Sequence, residues 1–189
     1  NQIDESQRKQ IIQNCCPGAG SCGGMFTANT MASIAEVMGI TLPNSSSNPA
    51  ISYEKEIECS FVSQYLYNLL KEDIKPRDII TKKSIENGIK LGIALGGSTN
   101  MVLHLLAIAK DFNIDLSLDD FSTIGKNTPV IGNLKPIGQY LMNDLHAIGG
   151  MSVVIKYLIE NDIIDGSNIT VTGDTLWNNV KNAKTLCFD

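Results

Sequence analysis

Apolar residues recur at intervals of three and four positions along much of the chain, the spacing that places them on one face of an α-helix. Residues that start or end helices bound these stretches: Thr81 and Ser117 are predicted caps, and Gly39 is a predicted stop. The pattern predicts helices over residues 31–38, 53–70, 81–93, 101–110, 138–147 and 151–161, with short helices starting at Ser117 and at Asp174 or Thr175.

Two stretches between the predicted helices have a different character. Val130–Leu134 and Ile169–Thr172 are brief and rich in β-branched residues, which makes them the best strand candidates. Helices joined by short strands are typical of α/β architecture. We therefore expect helices packed on a mostly parallel sheet, with sheet elements supplied partly from outside residues 1–189.

Composition narrows the classes of protein to which the chain can belong. The 189 residues are 43% hydrophobic and 19% charged, which fits a globular, well-buried protein. A net charge of −5 argues against nucleic acid or an anionic membrane as a partner. Five cysteines, an odd number without regular spacing, indicate a reducing compartment. The chain starts at Asn1, so we expect a processed or partial protein.

The densest candidate for chemistry is the segment that precedes the first strongly helical pattern. Three cysteines and four glycines lie within residues 14–24. Glycine permits close backbone approach, and a cysteine near a helix N-terminus is favoured as the thiolate that binds metals or attacks electrophiles. A tight turn with buried, inert thiols fits the same spacing, so the pattern alone indicates a site without naming it.

Further along the chain, two polar segments are candidates for a binding pocket. Asn44–Pro49 is predicted as an irregular loop, either a solvated turn or part of a pocket lining. Gly96–Asn100 opens a helix, where free backbone N–H groups often bind an anion, although an ordinary Ser/Thr cap explains it equally. The roles of His104 and His146 stay open, and Cys59 is predicted to be a buried, inert thiol.

The residues of these segments resemble one family specifically. The run from Pro17 to Ser33 resembles the third cluster-ligand segment of the dihydroxy-acid dehydratases, the iron–sulfur enzymes of branched-chain amino-acid synthesis. Further likenesses follow in the expected order at Leu42–Ala50, Arg77–Thr81, Ala94–Asn100 with His104, Leu134–Pro136 and Val171–Thr175. Several independent motifs in sequence make the match specific.

The resemblance implies a function and a set of cofactors. It implies dehydration of 2,3-dihydroxy-3-methyl acids to 2-oxo acids in valine and isoleucine biosynthesis. Cys22 is implied as one ligand of an iron–sulfur cluster, [2Fe–2S] with [4Fe–4S] as the alternative. The other cluster cysteines, the Mg²⁺ ligands and the base belong to other parts of the family's chain, so no catalytic residue is expected here.

The resemblance also suggests how the remaining polar residues are used. Thr27, Asn29, Ser98, Thr99 and Asn100 are predicted pocket groups. Cys15 and Cys16, a double cysteine that departs from the family pattern, are interpreted as structural or incidental. Replacement of Cys187 by serine is expected to keep cluster and activity.

The family's chain is about three times longer than this one. Residues 1–189 are therefore expected to be part of the cluster-binding N-terminal domain, without the C-terminal domain. A homodimer or higher oligomer is expected for the full-length enzyme. The implied location is cytoplasmic in a bacterium, and mitochondrial or plastid in a eukaryote.

Two alternatives remain at this point. A sugar-acid dehydratase of the same superfamily shares the chemistry but acts on longer polyols, and the Leu42–Ser47 run favours the dihydroxy-acid enzyme. A non-catalytic iron–sulfur module belongs to a different class. It requires about four cysteine ligands at spacings such as C-x2-C, and the five cysteines are not so arranged.

Overall fold

The computed structural model describes residues 3–15 and 22–186, and these residues form ten α-helices joined by loops. In chain order they are α1 (Glu5–Asn14), α2 (Thr27–Val37), α3 (Tyr53–Lys71), α4 (Pro76–Ile79), α5 (Lys82–Ala94), α6 (Asn100–Asp111), α7 (Leu118–Lys126), α8 (Met142–Ala147), α9 (Met151–Glu160) and α10 (Leu176–Val180). No helix of this described part combines the length and apolar character that a bilayer crossing requires.

Two hydrophobic clusters form the core, and α2 and α5 contribute to both. One cluster joins α2 and α5 to α6 and α7 through residues such as Ile34, Ile89 and Leu105. The other surrounds α9 and α10, where Val37 of α2 and Leu91 of α5 are fully buried. The α2–α5 pair therefore lies between the two clusters and fixes their relative position.

Glycine allows α5 to approach α2 closely. A Cβ atom at Gly88 would lie 3.0 Å from Ile34 Cγ2 and 3.3 Å from Met38 Cγ, tighter than ordinary side-chain contacts. Beyond the end of α2, Gly39 has a φ of 87°, a left-handed conformation that favours glycine and ends the helix. The predicted stop at Gly39 is confirmed.

Most predicted helices and caps are confirmed. Thr81 Oγ1 accepts a hydrogen bond of 3.2 Å from Ser84 N at the start of α5, and Thr175 Oγ1 accepts one of 3.2 Å from Asn178 N at the start of α10. The helix predicted over residues 138–147 begins instead at Met142, because the preceding residues form a loop closed by backbone bonds such as Gly138 N to Leu134 O (2.8 Å).

The prediction of an α/β fold with helices on a mostly parallel sheet is wrong for the described residues. Each of the two strand candidates forms a single isolated bridge, one joining Leu134 to Tyr140 and the other joining Ile169 to Thr175. Their backbone groups bond locally or to helix ends instead: Ile131 N, for example, donates to Ala94 O at 2.8 Å. Short β-branched runs indicate strands only where another strand lies beside them.

Helix α3 is confirmed as a helix, but its burial differs from that of an amphipathic core helix. Ser52 caps it through a 3.2 Å hydrogen bond from Lys55 N, yet none of its nineteen residues is buried. Phe61 and Leu70 are 53% and 73% exposed. The prediction that Cys59 is a buried thiol is therefore wrong, because Cys59 lies on an exposed face of this helix.

Candidate functional site

Cys22 lies in an irregular segment that the side chain of Asn29 holds against the start of α2. Asn29 Nδ2 donates to Cys22 O at 2.7 Å and to Gly24 O at 2.6 Å. Asn29 is in the first turn of α2, so the helix and the segment are fixed to each other. The predicted pocket residue Asn29 thus acts in the structure as a support for Cys22.

The loop before α8 holds the other side of this segment. Met25 N donates to Lys135 O at 2.6 Å, and Met142 N donates to Gly23 O at 2.8 Å. A Cβ at Gly24 would lie 2.9 Å from Lys135 O, so a larger residue there would displace the backbone. Glycine is required at this position by a close approach between two backbone segments.

The Cys22 thiol is free and exposed, with Sγ 3.8 Å from Gly24 O. The helix that follows, α2, starts at Thr27. Phe26 provides no side-chain cap, the first turn has no acidic residue, and within the described residues no acceptor is assigned to the N–H groups of Thr27, Ala28 and Asn29. Negative charge placed beside this end of α2 is therefore stabilised by the helix dipole.

A hydrogen-bond network joins this end of α2 to the start of α6. Thr27 Oγ1 lies 3.1 Å from Ser98 Oγ and accepts a 2.8 Å hydrogen bond from Asn100 Nδ2. Thr30, a buried residue that the sequence analysis missed, accepts a 2.9 Å hydrogen bond from Ser98 N. Three predicted pocket residues are therefore brought together beside the segment that carries Cys22.

Two glycines shape the turn that carries Ser98. Gly96 has a φ of 66°, and a Cβ at Gly97 would lie 2.8 Å from Thr30 Cγ2 and 2.9 Å from Gly92 O. Thr99 is exposed, and within the described chain no hydrogen bond is assigned to its side chain. Thr99 is thus near the network without belonging to it.

An open groove of about 450 Å³ runs between the N-terminal half of α2 and the central turns of α6. Its six lining residues are Thr27, Ala28, Met31, His104, Ala107 and Ile108. His104 is half-buried, and no hydrogen bond of its ring is assigned among the described residues. The groove begins at the polar network and continues along apolar walls.

The remaining cysteines and possible metal ligands do not assemble a second site. Cys15 follows α1 and is exposed, with Sγ 3.3 Å from Ile12 O. Cys16, Cys187 and the Pro17–Ser21 run lie outside the described residues. Within residues 3–15 and 22–186, no group of three or more His, Cys, Asp or Glu side chains is placed to hold a metal ion.

The opposite end of α2 carries a buried carboxylate. Glu36 is 3% exposed, and its oxygens accept hydrogen bonds from Asn44 N (2.7 Å), Ser46 N (3.0 Å) and Ser46 Oγ (2.6 Å). Burial raises the pKa of Glu36 to about 7, partly opposed by the hydrogen bonds from Ser46 and Asn44. Glu36 therefore organises the loop that follows α2.

That loop, predicted as a solvated turn or a pocket lining, caps a distant helix. Ser47 Oγ accepts a 2.9 Å hydrogen bond from Met151 N, and Asn44 Oδ1 accepts one of 2.8 Å from Ser152 N. Both donors are in the first turn of α9, whose N-cap residue is Gly150. The loop thus stabilises α9, a role that neither interpretation from the sequence included.

Comparison with known proteins identifies the family. A family profile described as "Dihydroxy-acid/6-phosphogluconate dehydratase N-terminal" matches residues 1–179. The chain belongs to this dehydratase family. The resemblance inferred from the separate motifs is confirmed over nearly the whole chain.

Individual members of the dehydratase family are similar at high identity. The chain is 56% identical over 184 residues to the mitochondrial dihydroxy-acid dehydratase of Schizosaccharomyces pombe, covering 97% of the chain and 31% of that protein. It is 52% identical over 186 residues to the dihydroxy-acid dehydratase of Flavobacterium psychrophilum, covering 98% and 33%. The chloroplastic enzyme of Arabidopsis thaliana is 52% identical over 184 residues, covering 97% and 30%. The chain spans about a third of the length of these relatives.

Proposed function

We propose that the protein containing this chain is a dihydroxy-acid dehydratase, which converts 2,3-dihydroxy-3-methyl acids to 2-oxo acids in valine and isoleucine biosynthesis. The observation that carries the proposal is 52–56% identity to enzymes of that name over nearly the whole chain. The chain contributes part of the cluster-binding N-terminal domain, and we assign the C-terminal domain and the base to the remainder of the enzyme.

The reaction needs help at the hydroxyl that leaves. Hydroxide is a poor leaving group, since the pKa of water is about 15.7. An iron–sulfur cluster, [2Fe–2S] or alternatively [4Fe–4S], supplies the Lewis acid for this hydroxyl when bound, and the proposal includes Mg²⁺ as a second cofactor. The product enol becomes a 2-oxo acid by tautomerisation, so the reaction needs no net oxidation or reduction.

The residues at the start of α2 fit a cluster ligand. Cys22 offers an exposed thiol, Asn29 fixes the backbone on either side of it, and the uncapped helix end favours negative charge there. The described residues offer no carboxylate cluster for Mg²⁺, so we assign its ligands to other parts of the enzyme. The remaining cluster cysteines are assigned there as well.

The network beside Cys22 is suited to a small polyhydroxy acid. Thr27, Ser98 and Asn100 present hydroxyl and amide groups. The first N–H groups of α2, for which no acceptor is assigned among the described residues, add donors for a carboxylate. In this proposal these groups orient the substrate, while Asn29 and Thr30 hold the supporting backbone in place.

A substrate comparison tests the proposal. The product of the complete reading frame, purified and reconstituted with iron and sulfide without oxygen, is assayed for 2-oxo-acid formation from 2,3-dihydroxyisovalerate and from gluconate. We expect a large preference for 2,3-dihydroxyisovalerate. Preference for gluconate would indicate a sugar-acid dehydratase, and bound cluster without turnover of either acid would favour a non-catalytic iron–sulfur module.

The proposal extends to assembly and location. A small-molecule acid is the expected ligand, without nucleic acid or membrane partners, and the full-length enzyme is expected to be a homodimer or larger. The relatives from S. pombe and A. thaliana are named as mitochondrial and chloroplastic. We expect an organellar location in a eukaryote and a cytoplasmic one in a bacterium, and size-exclusion chromatography with light scattering tests the oligomeric state.

A further inference from the structure

The residues that line the groove between α2 and α6 are spaced three or four positions apart on both helices. On α2, Ala28 and Met31 are three positions apart, and on α6, His104, Ala107 and Ile108 are three and four positions apart. Residues at these spacings face the same side of a helix. The two helices therefore line one shallow groove of about 450 Å³ on the described surface, which is largely open to solvent.

The polarity of the groove changes along its length. One end is the hydrogen bond from Asn100 Nδ2 to Thr27 Oγ1, next to Asn29, whose amide binds the Cys22 carbonyl. Beyond this end, four of the five remaining lining residues are the apolar Ala28, Met31, Ala107 and Ile108. A ligand that fits both parts carries polar groups at one end and a compact alkyl group at the other.

We propose that this groove receives the alkyl side chain of the substrate, and that Met31, Ala107 and Ile108 determine how large that side chain can be. The inference rests on the proposed function, which supplies an acid with a carboxylate and two hydroxyls at one end and a branched alkyl group at the other. The polar end faces the network beside Cys22, and the alkyl group extends along α6.

Alanine on each wall keeps the groove open. Ala28 and Ala107 are exposed, and Met31 and Ile108 are half-buried, whereas the fully buried positions of the same helices, such as Ile34 and Leu105, face the core. A large side chain at either alanine would fill the groove without entering the core. The walls can therefore be altered with limited effect on folding.

Two substrates that differ by one methylene group measure the size of this subsite. The ratio compared is kcat/KM for 2,3-dihydroxy-3-methylvalerate over kcat/KM for 2,3-dihydroxyisovalerate, using the reconstituted product of the complete reading frame. One methylene in an apolar pocket changes discrimination by about 10-fold or more. We expect Ala107→Phe to lower this ratio about 10-fold and Ile108→Ala to raise it severalfold.

A matched control is available on the same helix. Leu103 is 57% exposed and does not line the groove, so Leu103→Ala removes an α6 side chain of the same size as Ile108 outside the proposed subsite. The control is expected to leave the ratio within about twofold of wild type. If Ala107→Phe fails to fold, Ala28→Val narrows the opposite wall and is expected to lower the ratio in the same direction.

The outcomes separate this inference from the proposed function. Wild-type turnover of both acids with a ratio that no groove variant changes would overturn the inference and leave the proposed function standing. Lower melting temperatures with an unchanged ratio would show that another part of the protein covers the groove, which also overturns it. Absence of turnover of either acid by the folded, cluster-loaded wild type overturns the proposed function, and the inference with it.

Discussion

The two ends of α2 are built in opposite ways. At the N-terminal end the Cys22 thiol is exposed, and the first three backbone N–H groups of the helix have no assigned acceptor among the described residues. Near the C-terminal end the Glu36 carboxylate is almost fully buried, and its two oxygens accept three hydrogen bonds. Among the described residues, the donors at the first end have no assigned partner, whereas the carboxyl oxygens at the second end are hydrogen-bonded within the fold.

This difference indicates which polar segment belongs to the site. Backbone donors beside an exposed thiol are suited to an external ligand, whereas a buried carboxyl group that accepts three hydrogen bonds holds neighbouring segments of the fold together. From the sequence, both Gly96–Asn100 and Asn44–Pro49 were candidate pocket segments. The structure joins the first segment through Thr27 to the N-terminal end of α2, which we call the open end. It joins the second segment through Glu36 to the C-terminal end, which we call the closed end.

The largest expected effect is at the open end. Cys22→Ser is expected to reduce iron and sulfide per purified chain to background and to abolish turnover, because a hydroxyl is a poor ligand for a cluster that thiolates bind. Cys59→Ser, at an exposed cysteine of α3, is the control and should keep both. Normal iron content in the Cys22→Ser variant would show that Cys22 is not a cluster ligand.

At the closed end the expected effect is on stability. Glu36→Ala leaves the N–H groups of Asn44 and Ser46 without their acceptor, and each unsatisfied buried group costs about 1–3 kcal/mol. We expect the free energy of unfolding to fall by about 4 kcal/mol in urea titrations at about pH 5, where Glu36 is mostly protonated. Glu56→Ala, on the exposed α3, should change it by less than about 0.5 kcal/mol. A similar small change at Glu36 would contradict the structural role.

The pH dependence of the free energy of unfolding gives a second test of the role of Glu36. The pKa of Glu36 is about 7 in the folded chain, above its ordinary value of 4.5, so the folded chain binds this proton more tightly. The contribution of Glu36 to the free energy of unfolding is therefore full below about pH 4.5. It is lost as the pH rises through about 7, a change of about 3 kcal/mol. Glu36→Gln cannot ionise, so the stability of wild type relative to this variant should fall over that range. A constant difference would show that the three hydrogen bonds offset the cost of burial.

The smallest expected effect is in the polar network of the open end. Ser98→Ala removes the hydroxyl next to Thr27 Oγ1 and is expected to lower kcat/KM about 10-fold, about 1.4 kcal/mol of transition-state stabilisation. The melting temperature should change little, because the Ser98 backbone N–H keeps its bond to Thr30, and the hydrogen bond from Asn100 N to Ser98 Oγ that is lost is long (3.3 Å) and exposed. Ser63→Ala on α3 is the control. A lowered melting temperature with unchanged kcat/KM would make Ser98 a structural residue.

Local patterns in the sequence predicted eight of the ten described helices, because spacing, caps and glycines act over a few residues. They did not predict α1 or α4. The sheet was wrongly predicted, since Val130–Leu134 and Ile169–Thr172 carry no information on whether a partner strand exists. The capping of α9 by Ser47 was missed because the two elements are about a hundred residues apart. Glu36 was missed because a carboxylate on a helix is ordinarily exposed. A signal was present in its position within the apolar run of α2.

Helix α3 has a consequence for local opening of the protein. None of its residues is buried, and its described ties to the loop after α2 are polar: Lys55 Nζ donates to Ser45 O at 2.8 Å, and Ser45 Oγ donates to Glu58 Oε1 at 2.6 Å. Its nineteen-residue length, the Ser52 cap, the acidic residues of the first turn and Lys71 in the last add local support. Such a helix opens at a small free-energy cost without unfolding the core. In deuterium-exchange mass spectrometry, the central amides of α3 should therefore exchange well before those of α2, α5 and α9. In limited proteolysis, we expect cleavage in the loops that flank Tyr53–Lys71.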